Sequence, residues 1–115
     1  MRIPLSTTPA LRALCIFAFA FTTAYVLFHE PPGGAISEMW DKAQHFTVYG
    51  GMAFMLWLGV GKRWALAAFV AVVLVGITDE IVQYFTPGRE ADVWDIVADA
   101  AGAGSCLVVA RRLFV

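Results

Sequence analysis

The stretch Gly76 to Gly102, GITDEIVQYFTPGREADVWDIVADAAG, decides how this chain is read. It places six carboxyl groups inside a chain that is 60% hydrophobic, with a mean hydropathy of +0.72. Charge in such surroundings is costly unless it is paired, hydrated or put to use. The stretch also reads as helix, turn, helix. Apolar residues run up to Phe85, Thr86 to Glu90 (TPGRE) sets Pro before Gly as a tight turn prefers, and a second apolar run starts at Val93.

Outward from that hairpin, four apolar runs of helical length stand between breakers: about Leu11 to Phe28, Met39 to Val60, Trp64 to Phe85 and Val93 to Ala110. Each approaches the roughly 20 residues that cross a bilayer. HEPPGG (His29 to Gly34) cannot continue a helix, and GVGKRW (Gly59 to Trp64) is a Gly-rich basic turn. The expected fold is all-α: an integral membrane four-helix bundle, one domain over residues 1–115. The first run does not read as a cleaved signal peptide. No small-residue site closes it, bulky Tyr25 to Phe28 ends it, and Pro31-Pro32 follows. It is expected to stay as a permanent helix.

Only 15% of residues are charged, and the net charge of −1 shows no clustered basic face of the kind nucleic-acid binders carry. Nucleic acid is therefore excluded as a partner. Cys15 and Cys106 sit in apolar runs without C-x-x-C or Cys/His spacing, so free buried thiols are expected.

Charge is distributed unevenly. Arg2, Arg12, Lys62, Arg63, Arg111 and Arg112 fall at the N-terminus, the second connection or the C-terminus. Four spans put these on one side, which the positive-inside rule makes cytoplasmic, with both termini. All nine acidic residues (Glu30, Glu38, Asp41, Asp79, Glu80, Glu90, Asp92, Asp95 and Asp99) belong to the other two connections or the helix halves next to them. The expected polar site thus faces outward.

Spacing arranges these groups into stripes. Asp92, Asp95, Asp99 and Gly102 share one helix face, Asp79 and Gln83 another, and Asp41, His45 and Tyr49 a third. Asp79 and Asp99 lie on the order of 10 Å inward from the helix ends at 1.5 Å per residue. Burial against lipid turns such stripes toward one another. Several members have plain structural roles available. Asp92 reads as an N-cap with Asp95 in the first turn, Ser37 with Glu38 reads the same way, and Tyr49 and Trp94 read as interfacial aromatics. DAAGAGS (Asp99 to Ser105) reads as close helix packing.

DKAQH (Asp41 to His45), DEIVQYFTPGR (Asp79 to Arg89) and DVWDIVADAAG (Asp92 to Gly102), taken together, resemble the VanZ-like family of small bacterial membrane proteins, over about residues 41–110. One departure is visible: Asp99 stands where the family pattern commonly has Asn. The resemblance implies a four-helix membrane domain in the bacterial cytoplasmic (inner) membrane. It also implies a link to low-level resistance to teicoplanin, a lipid-tailed glycopeptide acting on cell-wall precursors. It does not supply a biochemical mechanism.

Two chemistries suit the stripes. In the first, the site binds a lipid-linked cell-wall intermediate, a membrane lipid or a lipoglycopeptide. Lys42, His45 and Arg89 meet an anionic head group, and Asp41, Asp79, Glu80, Gln83, Asp92, Asp95 and Asp99 orient them or engage an amine. Trp40, Tyr84, Phe85 and Trp94 form a rim against acyl chains. In the second, the site is an intramembrane enzyme in which Glu80 and Asp79 divide acid and base roles and His45 carries protons. A divalent cation on Asp79, Glu80, Asp95 and His45 would suit hard oxygen ligands. The spacing is that of no metal motif, however, so no metal or other cofactor is expected. Neither Ser nor Cys lies in the stripes as a nucleophile, which favours the binding reading.

Overall fold

The computed structural model describes residues 1–28 and 38–114. The HEPPGG break, Glu30 and the Ser37–Glu38 cap lie outside the described residues and side chains. Four helices follow one another: α1 (Pro9–Phe28), α2 (Glu38–Val60), α3 (Ala65–Tyr84) and α4 (Val93–Leu113). The sequence-derived limits agree with these to within three residues.

Three segments are long and apolar enough to cross a membrane: Pro9–Phe28, Lys62–Tyr84 and Val93–Leu113. Helix α2 is as long, at 23 residues, but its first turns carry Asp41, Lys42, Gln44 and His45. Its place in the bundle accounts for this. It packs against each of the other three helices, most extensively against α4, so its polar turns face protein. The outer faces are apolar and exposed, as lipid requires: Phe17, Phe21 and Phe28 on α1, Leu66, Leu74 and Ile81 on α3, and Val97, Val108 and Val109 on α4.

Helices in lipid gain little from burying apolar surface, so close packing holds them together. The α2–α4 seam shows how. A Cβ on Gly102 would overlap the backbone carbonyl of Phe46, and one on Gly50 would meet the Gly102 carbonyl oxygen at 3.2 Å. Below this crossing Met52, Ala53, Trp57, Val72, Ala103 and Leu107 form the buried core.

The connections end their helices as the sequence suggests. Arg89 N–H donates to Thr86 C=O at 3.2 Å across Pro87 and Gly88, and Gly88 has φ +79°, which makes a turn that asks for Gly at its third position. At the opposite end Arg12 donates from Nε to Gly59 C=O at 2.9 Å and from Nη2 to Val60 C=O at 3.0 Å. Those carbonyls end α2 and have no partner within the helix. Lys62 Nζ donates to Leu5 C=O at 3.0 Å, and Ile3 N–H donates to Leu113 C=O at 2.5 Å. Arg12 and Lys62 therefore lie at the end of the bundle opposite the described carboxyl groups, which keep Lys42 and Arg89 beside them. Both cysteines are free thiols, with Cys15 buried and Cys106 only half-buried. The full burial expected for Cys106 does not hold, because α4 turns it toward the glycine seam rather than the core.

Candidate functional site

At the acidic end, α2, α3 and α4 turn their polar stripes inward. Asp79, Glu80, Gln83, Asp95 and Asp99 are all buried, and Asp99 is 0% exposed. Partner choice follows from helix rotation.

Lys42 on α2 reaches α4, with Nζ 2.7 Å from Asp92 Oδ2 and 2.5 Å from Asp95 Oδ1. These are charge-assisted bonds at short range. Asp92 also caps α4, its Oδ1 accepting from Trp94 N–H at 2.9 Å, so the structural role read for it from the sequence holds alongside the ion pair. The hydrogen bond from Lys42, followed by that from Trp94 N–H, holds the Asp92 carboxyl below its ordinary pKa.

One turn further along α2, His45 Nδ1 lies 2.7 Å from Asp99 Oδ1. That bond orients the ring. It leaves Nε2 facing Asp95 Oδ2 at 3.7 Å and Asp41 Oδ1 at 4.0 Å, beyond hydrogen-bond reach of either. Asp99 Oδ2 is buried without a hydrogen-bond partner. Space for it exists because Gly76 stands opposite: a Cβ there would come within 2.6 Å of that oxygen.

A second turn along, Tyr49 is 1% exposed and stacks on His45, with ring centroids 5.9 Å apart and planes 7° from parallel. Its hydroxyl donates to Asp79 Oδ2 at 3.5 Å. Of the two roles open to Tyr49 from the sequence, member of the polar stripe and interfacial aromatic, it takes the first, because the stripe it shares with Asp41 and His45 faces protein rather than the membrane surface. Trp94, at 65% exposure, does fit the interfacial role.

Asp79 and Glu80 diverge, as residues about 100° apart on a helix must. Gln83 Nε2 donates to Asp79 Oδ2 at 3.3 Å and to Glu80 Oε1 at 3.5 Å. Glu80 Oε2 accepts the Asp92 backbone N–H at 2.7 Å, tying the end of α3 to the start of α4. Among the described residues neither carboxyl lies within 4.0 Å of a cation. Their partners are the Tyr49 hydroxyl, the Gln83 amide and the Asp92 N–H, and Glu80 also shares a side-chain hydrogen bond with Asp95.

Arg89 differs from the other basic groups. Its backbone N–H is held by Thr86 C=O across the turn. Its guanidinium forms no ion pair among the described residues, whereas Lys42 and His45 are both engaged. The rim residues Trp40, Tyr84, Phe85 and Trp94 are each more than half exposed, with Tyr84 and Phe85 edge to face at 5.1 Å.

One participant escaped the sequence reading. Tyr49 was legible as the third member of an i, i+4, i+8 stripe. Gly76 left no signal of its own, since its role is to leave room for a carboxyl on another helix. The family model described as VanZ/LLP1 matches residues 4–114 of this chain. No curated protein and no solved structure matches it.

Proposed function

The chain belongs to the VanZ/LLP1 family, and on that premise we propose that it is a binding protein of the bacterial inner membrane. Its outward-facing polar end takes the anionic head group of a lipid-linked cell-wall intermediate or a lipoglycopeptide. The family is linked to glycopeptide resistance, and three apolar helices of spanning length make this chain a membrane protein. The proposed role is teicoplanin-type resistance or envelope maintenance.

One observation carries the reading: Arg89 is the cation at the acidic end left without an ion-pair partner among the described residues, on a hydrogen-bonded turn beside exposed aromatics. A guanidinium so placed suits bidentate contact with phosphate or carboxylate, and the aromatic rim suits an acyl tail. Native mass spectrometry of gently extracted protein tests it. A lipid-linked or anionic species should travel with the wild type, and Arg89→Lys should lose most of it while folding normally. Equal retention by Arg89→Lys would refute bidentate recognition.

A second reading, an intramembrane acid–base enzyme on a lipid-linked substrate, draws on the His45–Asp99 pair. A carboxylate on Nδ1 leaves Nε2 available to take a proton, as a general base requires. Its test is product formation from a lipid-linked substrate, abolished by His45→Gln.

A further inference from the structure

From Asp41, His45 and Asp95 we infer a binding site for one divalent first-row cation, zinc or manganese in class, with Asp99 holding the histidine from behind. The ligand atoms, one from each residue, all lie within 4.8 Å of one another. Asp41 and His45 stand four apart on one face of α2, and Asp95 enters from α4. The seam that packs these two helices thus builds the site.

The spacings suit a bridging ion better than direct contact. His45 Nε2 is 3.7 Å from Asp95 Oδ2 and 4.0 Å from Asp41 Oδ1. Metal bonds of about 2.1 Å place neighbouring ligand atoms roughly 3.0 to 3.4 Å apart, so the side chains must draw together by about 0.3 Å at the closest pair and by about an ångström at the widest. A proton on Nε2 would find no acceptor within hydrogen-bond reach. A bare lone pair there would face two carboxylates. A cation resolves both situations.

Three further features agree. The Asp95 side chain is 6% exposed, and Lys42 sits on its Oδ1, which leaves Oδ2 on the His45 side at 3.7 Å from Nε2. Asp99, fully buried, binds His45 Nδ1 through one oxygen and has no partner on the other. A carboxylate behind an imidazole fixes the ring and raises its basicity toward a metal. Among the described residues, seven carboxyl groups at this end (Asp41, Asp79, Glu80, Glu90, Asp92, Asp95 and Asp99) outnumber the three basic side chains Lys42, His45 and Arg89.

The donor set separates this site from the four-ligand arrangement considered from sequence. Asp79 and Glu80 are taken up by Tyr49, Gln83 and the Asp92 N–H, and Asp41 stands in the place they were expected to fill. One imidazole with two carboxylates suits zinc or manganese better than calcium. With three protein ligands, coordination positions stay open for water. If the proposed function holds, one of them would accept an oxygen of the anionic head group. The metal site itself does not depend on that.

The test uses full-length protein in detergent, stripped with chelator and titrated with Zn²⁺ by calorimetry and with Mn²⁺ by electron paramagnetic resonance, with no lipid added. One ion per chain is expected. Asp41→Asn, at the 38% exposed rim, should fold as wild type and weaken binding about 10- to 100-fold. His45→Gln should abolish it, and Asp99→Asn, which keeps an acceptor on Nδ1, should weaken it about tenfold. Lys42→Gln should bind at least as tightly as wild type, since it removes a competing charge. Failure of the wild type to bind either ion at millimolar concentration overturns the site, as does binding that Asp41→Asn and His45→Gln leave unchanged. Either result leaves the Arg89 test standing.

Discussion

Replacing Lys42 with Met isolates what the part-buried ion pair contributes. The ammonium serves two carboxylates in different surroundings. Asp92 is one-third exposed and keeps its cap bond to Trp94 N–H, so its loss of a partner matters little. The Asp95 side chain is 6% exposed, and Lys42 at 2.5 Å is the donor to its Oδ1. Stripping one partner from a buried pair costs about 3–5 kcal/mol when the other charge stays, and less if Asp95 takes up a proton. Lys42→Met should therefore destabilise by about 3 kcal/mol, with Asp95 the cause. In an Asp95→Asn background the same substitution should cost under about 1 kcal/mol, giving a coupling of at least about 2 kcal/mol. The assay is equilibrium unfolding in mixed mild-detergent and dodecyl sulfate micelles, followed by helical circular dichroism across the four proteins of the cycle. A coupling near zero would refute the argument, because Lys42 would then be no more than a solvated neighbour of Asp95.

Orientation is tested by cysteine labelling in intact spheroplasts: Glu90→Cys should react with a membrane-impermeant maleimide and Lys62→Cys should not, and the reverse pattern would invert the bundle. Gly102→Ala drives a methyl group into the Phe46 carbonyl and should destabilise by about 1–3 kcal/mol in the same unfolding assay. Glu80→Gln retains an acceptor for the Asp92 N–H, so stability should move by less than about 1 kcal/mol. If the chain has the proposed role in teicoplanin resistance, a large loss of resistance at normal expression would then mark the charge as functional, whereas stability and resistance falling together would mark it as structural. The folded state holds Asp92 below its ordinary pKa of 3.8, so its ionised form adds stability above that value, and the contribution disappears as pH falls through the lower folded value. The stability difference between wild type and Asp92→Asn should accordingly be flat above about pH 5 and shrink on acidification below about pH 4. A difference that grows in acid would contradict the assigned sign.

Much of this molecule is local in origin and therefore legible in one dimension. Hydropathy over 18 to 23 residues fixes where helices run, since the bilayer demands that length. Pro87-Gly88 fixes a turn because only glycine adopts φ +79° without strain. The i, i+3 and i, i+4 spacings showed that Asp92, Asp95 and Asp99 share a face, and that Asp41, His45 and Tyr49 share another. The separation of basic from acidic ends was equally plain, because it follows from counting connections. Each of these depends on neighbours in sequence.

Which groups meet was decided only by the rotation and register of one helix against another. The sequence offered Lys42, His45 and Arg89 together as cations for an anion, with Arg89 best suited by its planar fork, but not that Lys42 would be spent on Asp92 and Asp95 and His45 on Asp99. A spacing rule names a face but not the face opposite. That choice is made where α2 and α4 approach backbone to backbone, at Gly50, Gly102 and the Phe46 carbonyl, a contact fixed by the absence of side chains. Tyr49 lies inside rather than at the membrane surface for the same reason, and Gly76 matters only because Asp99 arrives opposite it. The stripes are written in the helices, and the pairs among them are set by how closely glycine lets those helices come.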